Sequence, residues 1–290
     1  MESRVAEAPH LDHGNGREEP LRGIPETMLI PLWAKAMETL SARPIVRDPK
    51  AVEMLARIDY DFSRFNKARL TQVGVAVRTM LLDDFVRDFL HRNENVVVIN
   101  LGAGLDTRYH RLALRNVCWY DLDLPEAIAW RRRFFPENET CRCIAKSVFD
   151  LSWMDAVEAR GPFLLIAEGL FMYFPEERLR PLFRAMVNRF AGAEMLLEIL
   201  PPFLVGKSNK HESVKMTASV PEFLWSVKNA KDLTAWHPCL QLVTEWNYFD
   251  FYKERWKWFG CLARLPGLRG YFASRIAHLH FGNHEKDYPG

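Results

Sequence analysis

Two glycines one residue apart, Gly102 and Gly104, follow directly on the apolar run 95–101, and two aspartates, Asp121 and Asp123, close the next apolar run. Glycine lets a backbone turn sharply and approach a ligand with no Cβ in between. A carboxylate about 20 residues further on, at the end of the neighbouring strand, can accept hydrogen bonds from ribose hydroxyls. The chemistry offered by this spacing is the holding of a nucleoside. Gly102, Ala103 and Gly104 would lie under the ligand and Asp123 on the sugar, with Asp121 as the lesser candidate for the same task.

Two kinds of nucleoside-binding sheet share those features. Sheets that carry a dinucleotide use a third glycine, which lets a helix N-terminus close on the pyrophosphate. Here the corresponding position is Thr107, two residues before the bulky Tyr109. The pattern suits a nucleoside ligand without a pyrophosphate. Other residues able to do chemistry are spread along the chain. Arg78 sits beside an apolar helical stripe, Glu168 ends the run PFLLIAEG, and Tyr173 follows five residues later. His211 and His237 lie in the last third, where an imidazole can deprotonate a hydroxyl, although most lone histidines do no such thing.

These residues need elements to position them. Met28, Leu32, Ala36 and Leu40 recur at helical spacing over 25–40, and Asp48-Pro49 is a cap followed by a first-turn proline. A longer helix over 66–91 carries Val73, Val77, Leu81, Phe85 and Phe89 on one stripe. The run 95–101 then reads as a strand buried on both faces. Helices at 106–114, 125–134 and 175–190 alternate with strands at 117–122, 141–145, 163–167 and 195–199, which predicts an α/β fold with a largely parallel sheet. Pro201-Pro202 stops the last of these strands, and 203–236 reads as helices and loops. Segments 240–251 and 275–281, with a helix near 253–262 between them, suit an antiparallel pair that closes the sheet.

The expected organisation is a disordered tail over 1–22 and one domain over 23–290. Within it, 23–93 form a helical cap, 94–200 the ligand-binding core, 201–236 a lid insertion and 237–290 the part that closes the sheet. Composition narrows the function further. The 39 basic residues are balanced by 37 acidic ones, for a net charge of +2, so no basic field exists to grip nucleic acid. Five cysteines without a CxxC pair, with Cys141 and Cys143 lacking further ligands at zinc spacing, argue for reduced thiols and no metal centre. The N-terminal residues are polar and acidic, and no run approaches the roughly 20 apolar residues of a membrane span. A soluble, cytoplasmic protein with no nucleic-acid or membrane partner is expected; nothing in the sequence fixes its oligomeric state.

Three segments, NLGAGLDTRYHRL, DLDLPEAIAWRRRFFP and PFLLIAEGLFMYFPEERLRPLFRAM, resemble successive motifs of the leucine carboxyl methyltransferase family, which includes a bacterial branch acting on polyketides and other small metabolites. IPETMLIPLWAKAMETLSARPIVRDP and GVAVRTMLLDDFVRDFL are similar to that family's helical N-terminal extension, so the resemblance spans roughly residues 24 to 200. It implies a Rossmann-like class I S-adenosylmethionine methyltransferase sheet with a helical extension and a helical lid insertion. The implied cofactor is S-adenosylmethionine, a nucleoside without a pyrophosphate. The implied reaction is O-methylation of a carboxylate or hydroxyl on a small organic acceptor, without a metal. A noncatalytic small-molecule-binding protein and a carboxyl methyltransferase of a peptide C-terminus are the alternatives.

Carried over residue by residue, Arg78 matches the arginine for the methionyl carboxylate, a task suited to a two-point guanidinium. Gly102, Ala103 and Gly104 match the cofactor turn, Asp123 the ribose acceptor, and Glu168 the acid at the methionyl amine or methyl-transfer site. Tyr173 would orient the acceptor at the mouth of that site. Where family members commonly carry Asp-Leu-Arg-Asp to hold the adenine, this chain has Ser147-Val148-Phe149-Asp150, so Ser147 and Val148 would take that role while Asp150 caps the next helix.

Overall fold

The computed structural model describes residues 26–217, 220–256 and 270–282. The expected tail over 1–22 and the later part of the expected helix near 253–262 lie outside the described residues. The chain opens on a 3-10 turn, Glu26–Met28, and three helices, α1 (Leu29–Thr39), α2 (Pro49–Arg57) and α3 (Arg69–Arg92). The Asp48 carboxylate accepts the Ala51 N–H at 3.0 Å, which satisfies one of the donors a helix start leaves bare, and Pro49 needs no partner there.

Seven strands form one sheet in the order β3-β2-β1-β4-β5-β7-β6. They are β1 (Val96–Leu101), β2 (Val117–Asp123), β3 (Cys141–Ala145), β4 (Phe163–Ala167), β5 (Glu194–Ile199), β6 (Leu240–Asn247) and β7 (Arg275–Phe281). The first five run parallel, and β7 inserts antiparallel between β5 and β6. Every residue of β1 is buried, as its central place and apolar run require. Alternate residues serve the two faces. Val97, Ile99 and Leu101 join α6 (Glu176–Arg189) on one side, while Val96 and Val98 join α3 on the other. The strand order reverses between β1 and β4, and a ligand crevice is expected beyond their carboxyl ends.

Several expected elements are shorter in the structure. The helix over 106–114 contracts to α4 (Arg108–Arg111), because Ala113 and Asn116 take left-handed backbone angles of 48° and 57°. The helix after Asp150 is the 3-10 turn Leu151–Met154, and 203–236 holds only short 3-10 turns among its described residues. β6 ends at Asn247, whose side chain accepts the Phe249 N–H at 3.0 Å and starts a turn. α5 (Pro125–Phe134) begins on its proline as expected.

The insertion expected as one lid divides in two. Trp225, Val227, Ala230, Leu233 and Trp236 are buried with α6 in the main core, Trp236 meeting Phe183 edge to face at 5.1 Å. Among the described residues, Phe203, Leu204, Val214, Met216 and Phe223 of the earlier part pack instead with α1 and α3.

Candidate active site

A cavity of about 950 Å³ opens at the carboxyl ends of β1, β2, β4 and β5. Its floor begins at the turn after β1. Gly102 and Gly104 take φ of +67° and +46°, and a Cβ on Gly102 would stand 2.7 Å from the Leu170 side chain. Glycine is required there on both counts. The Gly104 N–H donates to Asp123 Oδ2 at 2.7 Å, and Oδ1 accepts from the Leu124 N–H at 2.7 Å. Burial raises the Asp123 pKa against the pull of those two N–H groups. Each carboxylate oxygen thus accepts one N–H and has capacity for another donor, and Asp123 and Ala103 both form cavity wall.

Asp121 is not part of that wall. One layer below Asp123, fully buried, it is gripped by Arg131 of α5 at 2.6 Å and accepts from Trp119 Nε1 at 2.9 Å and Asn100 at 3.0 Å. Arg131 also donates to the carbonyls of Gly104 and Asp106 at 3.2 and 2.7 Å. The expectation of a second ribose acceptor is therefore corrected: the residue shares Asp123's side of the strand but lies too deep, and it fixes the glycine turn through Arg131.

Ser147, Val148 and Phe149 line the cavity beyond β3. The Ser147 hydroxyl accepts the Phe149 N–H at 3.2 Å, so its own O–H is free to donate. The Arg178 guanidinium lies 3.8 Å from the centre of the Phe149 ring, and Phe174 meets that ring edge to face. Phe149 and Arg178 thus stand in the wall beside Ser147, which takes the place of a carboxylate in the family pattern.

Deeper in, charges are joined in a buried chain. Glu168 accepts from Arg78 at 2.8 Å and from Arg108 at 2.7 Å; Arg78 also donates to Glu198 at 2.8 and 3.1 Å. Arg108 continues to Asp83 and Asp106, Arg111 ties Asp83 to Asp48, and Lys35 meets both Asp48 and Asp106. Tyr248 donates to Glu198 at 2.9 Å. Burial works against charge on Glu168, yet Arg78 and Arg108 outweigh it and hold the carboxyl below its usual range. The same contest keeps Asp106 well below it and raises Arg78 and Arg108 further. Four cations thus face five anions, an excess of one negative charge beside a cavity. The Nε of Arg78 is buried without a partner among the described residues.

Tyr173 stands in the cavity wall with its ring 5.5 Å from that of Phe223, and burial pushes its phenol up to about 12. His211 is also in the wall, whereas His237 is not; its Nδ1 accepts the Cys239 N–H at 3.1 Å in a turn before β6. Glu198, Arg108, Asp106, Lys35 and Tyr248 were missed as site residues. Glu198 had a signal, a lone acid inside the apolar run EMLLEIL, and Asp106 and Arg108 stood inside the glycine motif itself. Lys35 and Tyr248 had none, since only the fold brings them near.

A seven-stranded sheet with an antiparallel β7 and a cavity at its switch point is the fold of class I S-adenosylmethionine methyltransferases. Solved structures agree on the fold. A methyltransferase-fold protein of Thermobifida fusca covers 86% of this chain and 94% of its own with a TM-score of 0.55, at 11% identity. The family model for leucine carboxyl methyltransferase matches residues 28–187. The tetracenomycin polyketide synthesis O-methyltransferase TcmP of Streptomyces glaucescens is 32% identical over 268 residues, 90% of this chain and 98% of the relative. An S-adenosyl-L-methionine-dependent methyltransferase, dpfgK, of Gibberella zeae is 31% identical over 62% of this chain and 65% of its own. The chain belongs to the leucine carboxyl methyltransferase family.

The pocket fits that family's cofactor. The glycine turn leaves room for a nucleoside, Asp123 offers ribose acceptors, and Arg78 keeps one unpartnered donor beside an excess of negative charge that suits a sulfonium and an ammonium. Among the described residues no helix is long and apolar enough to cross a membrane.

Proposed function

We propose that this protein transfers a methyl group from S-adenosylmethionine to an oxygen of a small, largely apolar organic acceptor such as a polyketide, and that the oxygen belongs to a carboxylate. The observation that carries this reading is the continuity of one cavity. It runs from the nucleoside wall at Gly102, Asp123 and Ser147 to an apolar chamber formed by Phe203, Leu204, Phe223, Phe249, Trp256 and Phe272. The similarity to TcmP, an O-methyltransferase of polyketide synthesis, supports a polyketide-like occupant of that chamber.

In this reading Arg78 and Glu168 hold the methionyl group, Gly102, Ala103 and Gly104 bed the cofactor, Asp123 takes the ribose, and Ser147 and Val148 take the adenine. S-Adenosylmethionine supplies a methyl group on a sulfonium that is already a good leaving group. The protein's task is then alignment in a dry site. Glu168 is held below the ordinary carboxylate range by two arginines and is a weak base, and Tyr173 stays a phenol far above neutral pH. Neither is placed to take a proton. A carboxylate acceptor requires no such step, which is why it is favoured over a hydroxyl.

Two outcomes test the reading. Asp123→Ala is expected to weaken S-adenosylmethionine binding by roughly 1.5–3 kcal/mol, the worth of a hydrogen bond to a charged acceptor, measured by titration calorimetry. Unchanged affinity in a folded variant would remove Asp123 from the ribose. The pH profile of turnover supplies the second. Glu168 titrates below the ordinary carboxylate range, His211 near 4 and Tyr173 near 12, so none of the three changes charge between about pH 5 and pH 9. With an aromatic carboxylic acid as acceptor, kcat should stay flat across that window. A limb that rises near neutrality would reveal an enzymic base and overturn the carboxylate assignment.

A further inference from the structure

His211 lies outside the part of the chain that the family model matches, yet it stands in the wall of the chamber beside Phe223, ring centres 5.7 Å apart and edge to face. As a lone histidine in the last third of the chain it was a weak candidate for a base that deprotonates a hydroxyl. Its local geometry argues otherwise. The Val214 backbone N–H points at His211 Nδ1 from 3.4 Å, and the Ser213 hydroxyl lies 3.3 Å from the same nitrogen. A backbone N–H can only donate, so Nδ1 must be the bare, accepting nitrogen, and in a neutral ring the proton is then on Nε2.

The neighbours hold this arrangement. Ser213 is fully buried and reaches Thr71 of α3 at 3.3 Å, and the Glu212 carboxylate accepts the Thr71 N–H at 2.9 Å. The turn carrying His211 is thereby tied to the start of α3. Burial, with the nearby Arg78 charge adding to it, lowers the imidazole to about 4, so the ring is neutral wherever the enzyme is expected to work. Among the described residues no protein group meets Nε2.

We propose that His211 is a positioning residue that donates a hydrogen bond from Nε2–H to an oxygen of the acceptor, selecting acceptors with a carbonyl or carboxylate on their ring system. This rests on the acceptor reading given above. A general base would need Nε2 bare, which would place a second proton-bearing nitrogen against the Val214 N–H.

Three probes on one ring system test it: 2-naphthoate, 2-acetylnaphthalene and 2-ethylnaphthalene, with two, one and no acceptor oxygens. Each is titrated into the full-length protein saturated with S-adenosylhomocysteine. His211→Phe should weaken the two oxygenated probes about tenfold, as loss of one net hydrogen bond does, and leave 2-ethylnaphthalene within about twofold. His211→Gln, which keeps an N–H near the Nε2 position, should bind all three within about threefold of wild type, with kcat for naphthoate methylation retained if naphthoate turns over. Equal losses for all three probes in His211→Phe, or none, would overturn the proposal, as would a kcat collapse in His211→Gln with binding intact. Nitrogen-15 shifts of the His211 ring give a readout independent of any acceptor: a protonated Nδ1 would also sink it. If wild type binds none of the probes but still binds S-adenosylmethionine, the acceptor assignment fails and the cofactor reading stands.

Discussion

Arg78→Met should destabilise the protein by about 3–5 kcal/mol and abolish measurable S-adenosylmethionine binding, since removing one partner of a buried ion pair strands the other. Arg78 is the bridge between Glu168 and Glu198, at 2.8 Å from each, and all three side chains are almost wholly enclosed. Without it Glu168 keeps Arg108, but among the described residues Glu198 keeps only neutral donors, the Tyr248 hydroxyl and the Gly169 N–H at 2.7 Å. A loss of that size is a large share of a typical folding free energy of roughly 5–15 kcal/mol. Urea unfolding reads the single variant when it folds, and the double variant Arg78→Met with Glu198→Gln carries the decisive comparison. It removes the stranded charge and should recover much of the stability while remaining unable to bind cofactor. Arg78→Lys retains the charge but cannot span two carboxylates, and should fall between wild type and Arg78→Met in both measurements. An Arg78→Met protein that unfolds at the wild-type urea midpoint would show that the bridge contributes nothing.

The parts of this fold that were legible in the sequence are those whose signal is local. The period change at residue 95 marks β1, the glycines after it mark a turn no other residue fits, and Asp48-Pro49 marks a helix start. Asp121 shows the limit of such reading. Strand alternation correctly puts it on the side of Asp123, but depth along the strand decides whether an acid meets ligand or Arg131, and depth is a property of the packed sheet. The charge chain was illegible for the same reason. Lys35, Asp83 and Glu198 come from α1, α3 and β5, and no spacing relates residues so far apart until the helical cap closes over the switch point. The division of the insertion left no mark in the sequence, because Trp225 and Trp236 look alike there whether they line a chamber or fill a core.

That division of the insertion changes what its removal should do. Excision of residues 203–236 would take Trp225, Ala230, Leu233 and Trp236 out of the main core and is expected to prevent folding, at about 2–5 kcal/mol for each large side chain lost. The part of the insertion that lines the cavity is smaller and has a closed neck: the Gly206 N–H donates to the Phe223 carbonyl at 2.9 Å, so the chain leaves and returns at nearly one point. Replacing residues 207–222 by a short glycine-rich turn should therefore leave the sheet and the cavity wall at Gly102, Asp123 and Ser147 intact. It removes His211 and Val214 from the chamber, and it costs the start of α3 the Glu212 carboxylate, worth about 1 kcal/mol as a helix cap. S-Adenosylmethionine affinity should stay within a few fold, because Gly102, Gly104, Asp123 and Ser147 lie elsewhere in the wall. Methyl transfer should be lost, since an open chamber neither excludes water nor aligns an acceptor. Transfer of a labelled methyl group to an aromatic acid by the shortened, folded protein at the undiminished rate would show that this segment is a surface loop with no part in the reaction.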